Sequence, residues 1–202
     1  MKKVSIIIPY RIDRGWLDIA IRSAEKQSYE NIEILPIMGD CNCARNINKG
    51  IANASGDYIK ILAEDDWLSH DGIWKLVQGI RGYDFIHANA YNYIQRSGKY
   101  VEYKPSIKYP TLRNLLKKNV IHNGTVLYDM KMIENLGVYD ETLETAEEYE
   151  YHLRALQKGC RIGYIDEYVY YYRRHRAQKS LGINASQKRR NRVKANIKAR
   201  YE

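Results

Sequence analysis

Gly56-Asp57-Tyr58-Ile59-Lys60-Ile61-Leu62-Ala63-Glu64-Asp65-Asp66-Trp67 reads as a strand over 56–62 that runs straight into three successive acids. Working back from it, Ala44 to Ala54 carries Ile47 and Ile51 on one helical face, behind a Gly39-Asp40 turn and a strand over Ile32 to Ile37. Earlier still, Gly15 to Gln27 has Leu17, Ala20, Ile21 and Ala24 at helical spacing. Val4 to Tyr10 (VSIIIPY) is a continuous apolar run rich in β-branched residues and ended by Pro9, the pattern of a strand buried on both faces. Beyond the acids, Ser69 is placed to cap a helix carrying Ile73, Trp74, Val77 and Ile80. Strand and helix alternate through the first eighty residues, which predicts an α/β fold with a mostly parallel sheet, flanking helices and right-handed crossovers. Ligands of such sheets bind at the carboxyl ends of the strands, where the three acids fall.

The second half is less regular. Strand-like segments fall at 85–93, 98–103, 125–128, 161–165 and 168–173, and helical ones at 112–118, 131–136 and 147–158. No repeat or low-complexity linker interrupts the chain, so 1–180 reads as one domain followed by a tail over 181–202. With 45% hydrophobic and 28% charged among 202 residues, a disordered chain and a disulfide-stapled miniprotein are excluded. Cys41, Cys43 and Cys160 are odd in number and lack paired metal spacing, so neither a disulfide framework nor a structural zinc is expected. No run approaches the ~20 apolar residues of a membrane span, and Met1-Lys2-Lys3 leads directly into the first strand. The expectation is a cytoplasmic protein, for which the Asn-x-Ser/Thr matches at Asn53, Asn123 and Asn184 carry no weight.

The net charge of +9 is local. Arg173 to Glu202 holds eleven Lys/Arg and one acid, whereas the remaining body is slightly acidic. Such a run most simply solvates a helix, and Val193 and Ile197, four apart, give this one a weak apolar stripe. The sharper readings are attraction to anionic lipid, hence a peripheral membrane contact, or to nucleic acid, of which nucleic acid is not the expected partner.

Glu64, Asp65 and Asp66 repel one another, so folding tolerates them best where a cation compensates. Carboxylates at a strand end fit Mg²⁺ or Mn²⁺, which bind through one or two protein carboxylates and substrate phosphates. A turn that merely starts the next helix accounts for the same residues equally well. Pro9 and Tyr10 close the first strand and Asp40 follows the second. Tyr10 could pack on a base, Asp40 accept from a base N–H and Asp65 accept from a ribose hydroxyl. Trp67, His122, Asn123 and the nineteen tyrosines, against one phenylalanine, suit a polar groove that receives a sugar, although ordinary packing uses tyrosine too.

These blocks, in order, resemble family 2 glycosyltransferases with the glycosyltransferase-A fold: VSIIIPY at 4–10, ARNINKGI at 44–51, GDYIKILAEDDW at 56–67, AEEYEYHLRAL at 146–156 and YYRRH at 171–175. The resemblance implies a Rossmann-like nucleotide-binding sheet, with a nucleotide-sugar half over 1–95 and an acceptor half over 96–180. It also implies an inverting transfer of a hexose from a nucleotide donor, a UDP-sugar such as UDP-glucose, to a hydroxyl of a glycan, lipid-linked or protein-linked acceptor. On that basis Asp66 ligates Mn²⁺ or Mg²⁺, His175 lies near the metal or diphosphate, and Asp65 contacts the ribose. Asp40 contacts the base, while Pro9, Tyr10, Arg11, Arg45 and Glu64 complete the nucleotide-sugar contacts. Trp67, His122, Asn123 and Glu147 are assigned to the acceptor.

The resemblance makes Glu148 the base that takes the acceptor proton, at a position where the family has Asp. A glutamate at its ordinary pKa of about 4.3 is ionised at neutral pH and can do the same work. Thr145-Ala146-Glu147-Glu148 also fits a capping box, in which Glu148 would bond the Thr145 amide. The stretch from Asp40 to Ala44 is shorter than the family's loop, and the first Asp of the acidic block is replaced by Ala63 or Glu64, marking a compact variant. Two rival readings remain at this level. One is a binding module for nucleic acid or anionic membrane acting through the tail; the other is a transferase that binds nucleotide without turnover.

Overall fold

The computed structural model describes residues 1–176, 178 and 185–202. In chain order the elements are β1 (Val4–Tyr10), α1 (Leu17–Glu25), β2 (Ile32–Met38), α2 (Cys43–Asn53), β3 (Tyr58–Ile61), β4 (Trp67–Leu68), α3 (Gly72–Gly79), β5 (Phe85–Ile94), β6 (Lys99–Tyr103), α4 (Leu112–Lys117), β7 (Leu127–Asp129), α5 (Met130–Leu136), α6 (Glu147–Gln157), β8 (Ile162–Arg174) and α7 (Ala185–Lys198), with a 3-10 turn at Asn123–Thr125. The strands form one sheet in the order β2-β1-β3-β7-β5-β8-β4, and β6 pairs with β5.

β1 lies between β2 and β3, parallel to both, as the alternation of strand and helix predicts. The period of two along β1 divides the core. Val4, Ile6 and Ile8 pack with α1 and α3 on one face of the sheet, while Ile7 packs with α2, α4, α6 and α7 on the other. α2 comes so close that a Cβ at Gly50 would overlap Ile7. Asn42 caps α2 by accepting from the Arg45 N–H at 2.9 Å.

The second half makes the sheet mixed. β7 runs antiparallel to both β3 and β5, β4 runs antiparallel to β8, and only β5 and β8 restore a parallel pair. The two strands expected at 161–165 and 168–173 are one strand, β8, whose pairing with β5 slips at His87–Ala90. Asp166 sits at the slip, accepting from Asn89 Nδ2 at 2.8 Å. Ser69 does not cap α3: its hydroxyl donates to the Tyr168 carbonyl of β8, and Asp71 takes the N-cap position without a side-chain cap bond. Among the described residues no helix is long and apolar enough to cross a membrane. The expected domain boundary at 180–181 and Asn184 lie outside the described residues.

Candidate active site

After β3 the chain makes a tight turn, with the Asp66 N–H donating to the Ala63 carbonyl at 3.2 Å. β8 grips this turn with two residues three apart. Tyr170 Oη donates to Asp66 Oδ2 at 2.7 Å, and the Arg173 backbone N–H donates to Asp66 Oδ1 at 2.7 Å. Arg173 Nε also donates to the Asp65 carbonyl at 2.8 Å. The guanidinium is held over the rings of Trp16, Trp67 and Tyr93, at 5.3, 4.9 and 5.6 Å. Asp66 is only 2% exposed, and burial followed by the charge of Asp65 pushes its carboxyl well above the usual range. Beneath it, fully buried Lys60 donates to the carbonyls of Ile61 and Gly124 at 2.7 and 2.6 Å. Burial pulls its pKa down to about 7 against the attraction of Asp66. Gly124 must be glycine, since a Cβ there would overlap the Tyr170 ring.

Asp65 Oδ2 lies 2.9 Å from His175 Nε2, and the His175 ring packs on Trp16 with centroids 4.4 Å apart. Glu64 faces Arg14 at 3.7 Å, and burial raises its pKa.

The opposite wall is the 3-10 turn and the start of α6. Ala146, the N-cap of α6, sits at φ 63°, the one non-glycine residue at positive φ among the described residues, and makes no side-chain cap bond. The capping box is therefore not formed, because the left-handed Ala146 starts the helix one residue later than a Thr145 cap requires. Glu148 Oε1 instead accepts from Asn123 Nδ2 at 2.9 Å. Asn123 in turn lies on a buried row. Tyr128 Oη is 3.4 Å from Asn123 Oδ1 and 2.8 Å from His152 Nε2, and it accepts from Tyr139 Oη at 3.2 Å. The Nε2–H tautomer of His152 satisfies the row: His152 donates to Tyr128, and Tyr128 donates to Asn123. That leaves His152 Nδ1, which has no partner, as a bare acceptor rather than a buried N–H.

Between these walls is a cavity of about 540 Å³, within the range of small-molecule sites. Pro9, Tyr10, Arg11, Glu64, Asp65, Asp66, His122, Asn123, Glu147 and Glu148 all line it. Four residues expected at the site do not. Asp40 accepts from Arg45 Nη1 at 2.5 Å, and Arg45 also reaches Glu141, so the pair ties the loop before α2 to the chain near α6. The Trp67 ring stacks on Tyr171 at 5.2 Å, outside the cavity, and His175 stands behind Asp65. Sequence reading missed the grip of Tyr170 and Arg173, the buried Lys60, and Arg190, which reaches the cavity from α7. Lys60 as the one charge inside the apolar 58–62 run was a signal for the second of these.

A family model described as glycosyl transferase family 2 matches residues 39–136, from the turn after β2 to the end of α5. An uncharacterized glycosyltransferase of Rickettsia felis is 27% identical over 194 residues, covering 76% of this chain and 31% of that protein. A counterpart in Rickettsia typhi is 26% identical, covering 76% and 58%. The chain thus spans between about a third and somewhat over half of these relatives' lengths. Among solved structures, S. aureus TarS 1–349 superposes with a TM-score of 0.67 at 16% identity, covering 85% of this chain and 60% of that one. TarS 1–349 in complex with UDP-GlcNAc gives 0.69 at 15%, covering 87% and 60%. The likeness to TarS is one of fold, the glycosyltransferase-A type. The acidic turn at the strand ends of that fold lies inside the matched stretch, so the chain is similar to glycosyl transferase family 2 through its candidate site.

Proposed function

We propose that the chain transfers a hexose from a UDP-sugar to a hydroxyl of a glycan, lipid-linked or protein-linked acceptor, with inversion at the anomeric carbon. The observation that carries this reading is that the acidic turn and the carboxylate held by Asn123 open on one cavity of nucleotide-sugar size. The fold it shares with TarS, a protein crystallised with UDP-GlcNAc, favours the UDP-sugar class.

The acidic turn fits a divalent cation, Mn²⁺ or Mg²⁺. Asp66 keeps a lone pair on each oxygen beyond those taken by Tyr170 and Arg173, and its raised pKa marks a buried carboxylate short of positive charge. Among the described residues no three His, Cys, Asp or Glu side chains gather to hold an ion unaided. Asp66 would supply one or two ligands and the diphosphate the rest, while His175 stands behind Asp65 and holds its carboxylate. A bound cation neutralises the charge that develops on the leaving diphosphate.

The remaining steps belong to side chains. Tyr10 packs on the base and Asp65 accepts from a ribose hydroxyl. Arg11 reaches the phosphates, while Glu147 and His122, which burial keeps neutral with a pKa of about 4, border the acceptor. Glu148, fixed by Asn123, takes the proton from the acceptor hydroxyl as its oxygen attacks the anomeric carbon. The bond to the diphosphate breaks on the far side with its electron pair. The exposed cations Lys188 and Arg192 extend the reading to a peripheral contact with an anionic membrane.

Release of UDP from UDP-glucose or UDP-GlcNAc tests the assignment. Glu148→Gln is expected to lower the rate by about 100-fold or more while UDP affinity is kept. A Glu148→Gln protein as fast as wild type would remove the base from the scheme.

A further inference from the structure

The basic C-terminal segment, the sequence feature that the transfer reaction leaves unused, packs against the catalytic domain. Residues 190, 193, 194, 197 and 201 recur at intervals of three and four and so share one face of α7 and its continuation. Ile197 is fully buried in the core beside α6, with Val193 and Tyr201 packed against the same cluster. Lys194 Nζ lies 5.4 Å over the Tyr149 ring, and Tyr201 Oη donates to Glu150 Oε1 at 2.5 Å. Ion pairs fasten both ends of the segment, Arg189 with Glu144 and Arg200 with Asp140 at 3.0 Å.

Arg190 begins the packed face and is half-buried, and it lines the same cavity as Glu144 and Glu148. Unlike Arg189 and Arg200, it has no hydrogen bond or ion pair with any of the described residues. It acts on another cation, Lys194, whose pKa is lowered by burial and then by Arg190, with Glu148 opposing. A half-buried guanidinium facing a like charge is stabilised by an anion, and its planar fork matches phosphate or carboxylate oxygens.

We propose that α7 is a wall of the catalytic pocket and that Arg190 binds an anionic oxygen, of a phosphate or carboxylate, carried by the acceptor. The acceptor, rather than the donor, follows from its entry on the α6 side of the cavity, and this step rests on the reading of Glu148 as the base.

The test uses the full chain, wild type and the variants Arg190→Ala, Arg190→Lys and Ile197→Asp. Inorganic phosphate is titrated into metal-free protein and followed by ³¹P line broadening; UDP with Mn²⁺ is titrated separately. Arg190→Ala is expected to weaken phosphate about tenfold and Arg190→Lys about threefold, with UDP affinity kept within about twofold. Ile197→Asp, which undocks the helix, is expected to lose phosphate as Arg190→Ala does. If that variant fails to fold, the two Arg190 variants decide. Wild type that binds no phosphate, unchanged phosphate affinity in Arg190→Ala, or retained binding in a folded Ile197→Asp would overturn the proposal. Equal losses of phosphate and UDP would overturn the acceptor assignment and give Arg190 to the donor diphosphate. Wild type that binds phosphate but no UDP would sink the donor reading and leave the anion site standing.

Discussion

Glu148 is bonded to Asn123 instead of capping its own helix, which ties its aim to the 3-10 turn, to Tyr128 and to His152. Asn123→Ala removes a hydrogen bond to a carboxylate, so kcat is expected to fall by about tenfold while KM for the donor stays unchanged in steady-state assays. His152 gives the row a pH limit. Burial lowers its pKa to about 3, so below the ordinary His value near 6.5 the unfolded chain takes up a proton that the folded chain refuses. Stability from this group is present above about pH 6.5 and is lost as pH falls, by about 2 kcal/mol at pH 5, which denaturant titrations at pH 7 and pH 5 would register. Sequence could nominate Glu148 and Asn123 but could not join them, because residues 25 positions apart meet only through the fold. Arg45, expected at the nucleotide, likewise has a partner that sequence could not supply, Glu141, 96 positions away.

At the scale of elements, the first three strands were legible because each is a mostly apolar run, broken only by Ser5, Glu33 and Lys60, and bounded by turn residues. β7 overlaps the strand expected at 125–128, but three residues are too few to carry a period, and its place between β3 and β5 is set by pairing with distant strands. The two-residue β4 was invisible for the same reason. The start of α6 at Glu147 was legible, but the capping box that 145–148 also fits does not form, because a left-handed alanine breaks the pattern and nothing about Ala146 itself announces it. That strain, about 1–2 kcal/mol for a residue with a Cβ, is tolerated by a 2% exposed residue that aims Glu147 and Glu148 at the cavity. Ala146→Gly is expected to keep the thermal midpoint within a few degrees of wild type and to retain turnover. Ala146→Val is expected to lose about 2 kcal/mol or more, and with it the rate. Equal midpoints for the two variants would contradict a strained helix start.

Across the described residues, both faces of the sheet are covered by helices, and the strand ends border a cavity of about 540 Å³ between an acidic and a carboxylate-bearing wall. Alternating strand and helix forecast the layers and the edge at which the acids lie; the mixed order of the sheet came from second-half pairings that local patterns do not encode. The charge asymmetry was legible as a number but not as a contact, since only the folded chain sets Ile197 into the core and Arg190 on the cavity wall. The central claim is that the acidic turn binds a nucleoside diphosphate through a divalent cation, and a thermal-shift titration of wild type and Asp66→Asn tests it directly. UDP with Mn²⁺ at 100 times its dissociation constant is expected to stabilise wild type by about 2.7 kcal/mol, or about 5–10 °C for a chain of this size. EDTA or Asp66→Asn should abolish the shift, and GDP, ADP and CDP should give less. No shift with any nucleoside diphosphate, or a UDP shift untouched by EDTA and by Asp66→Asn, would contradict the account.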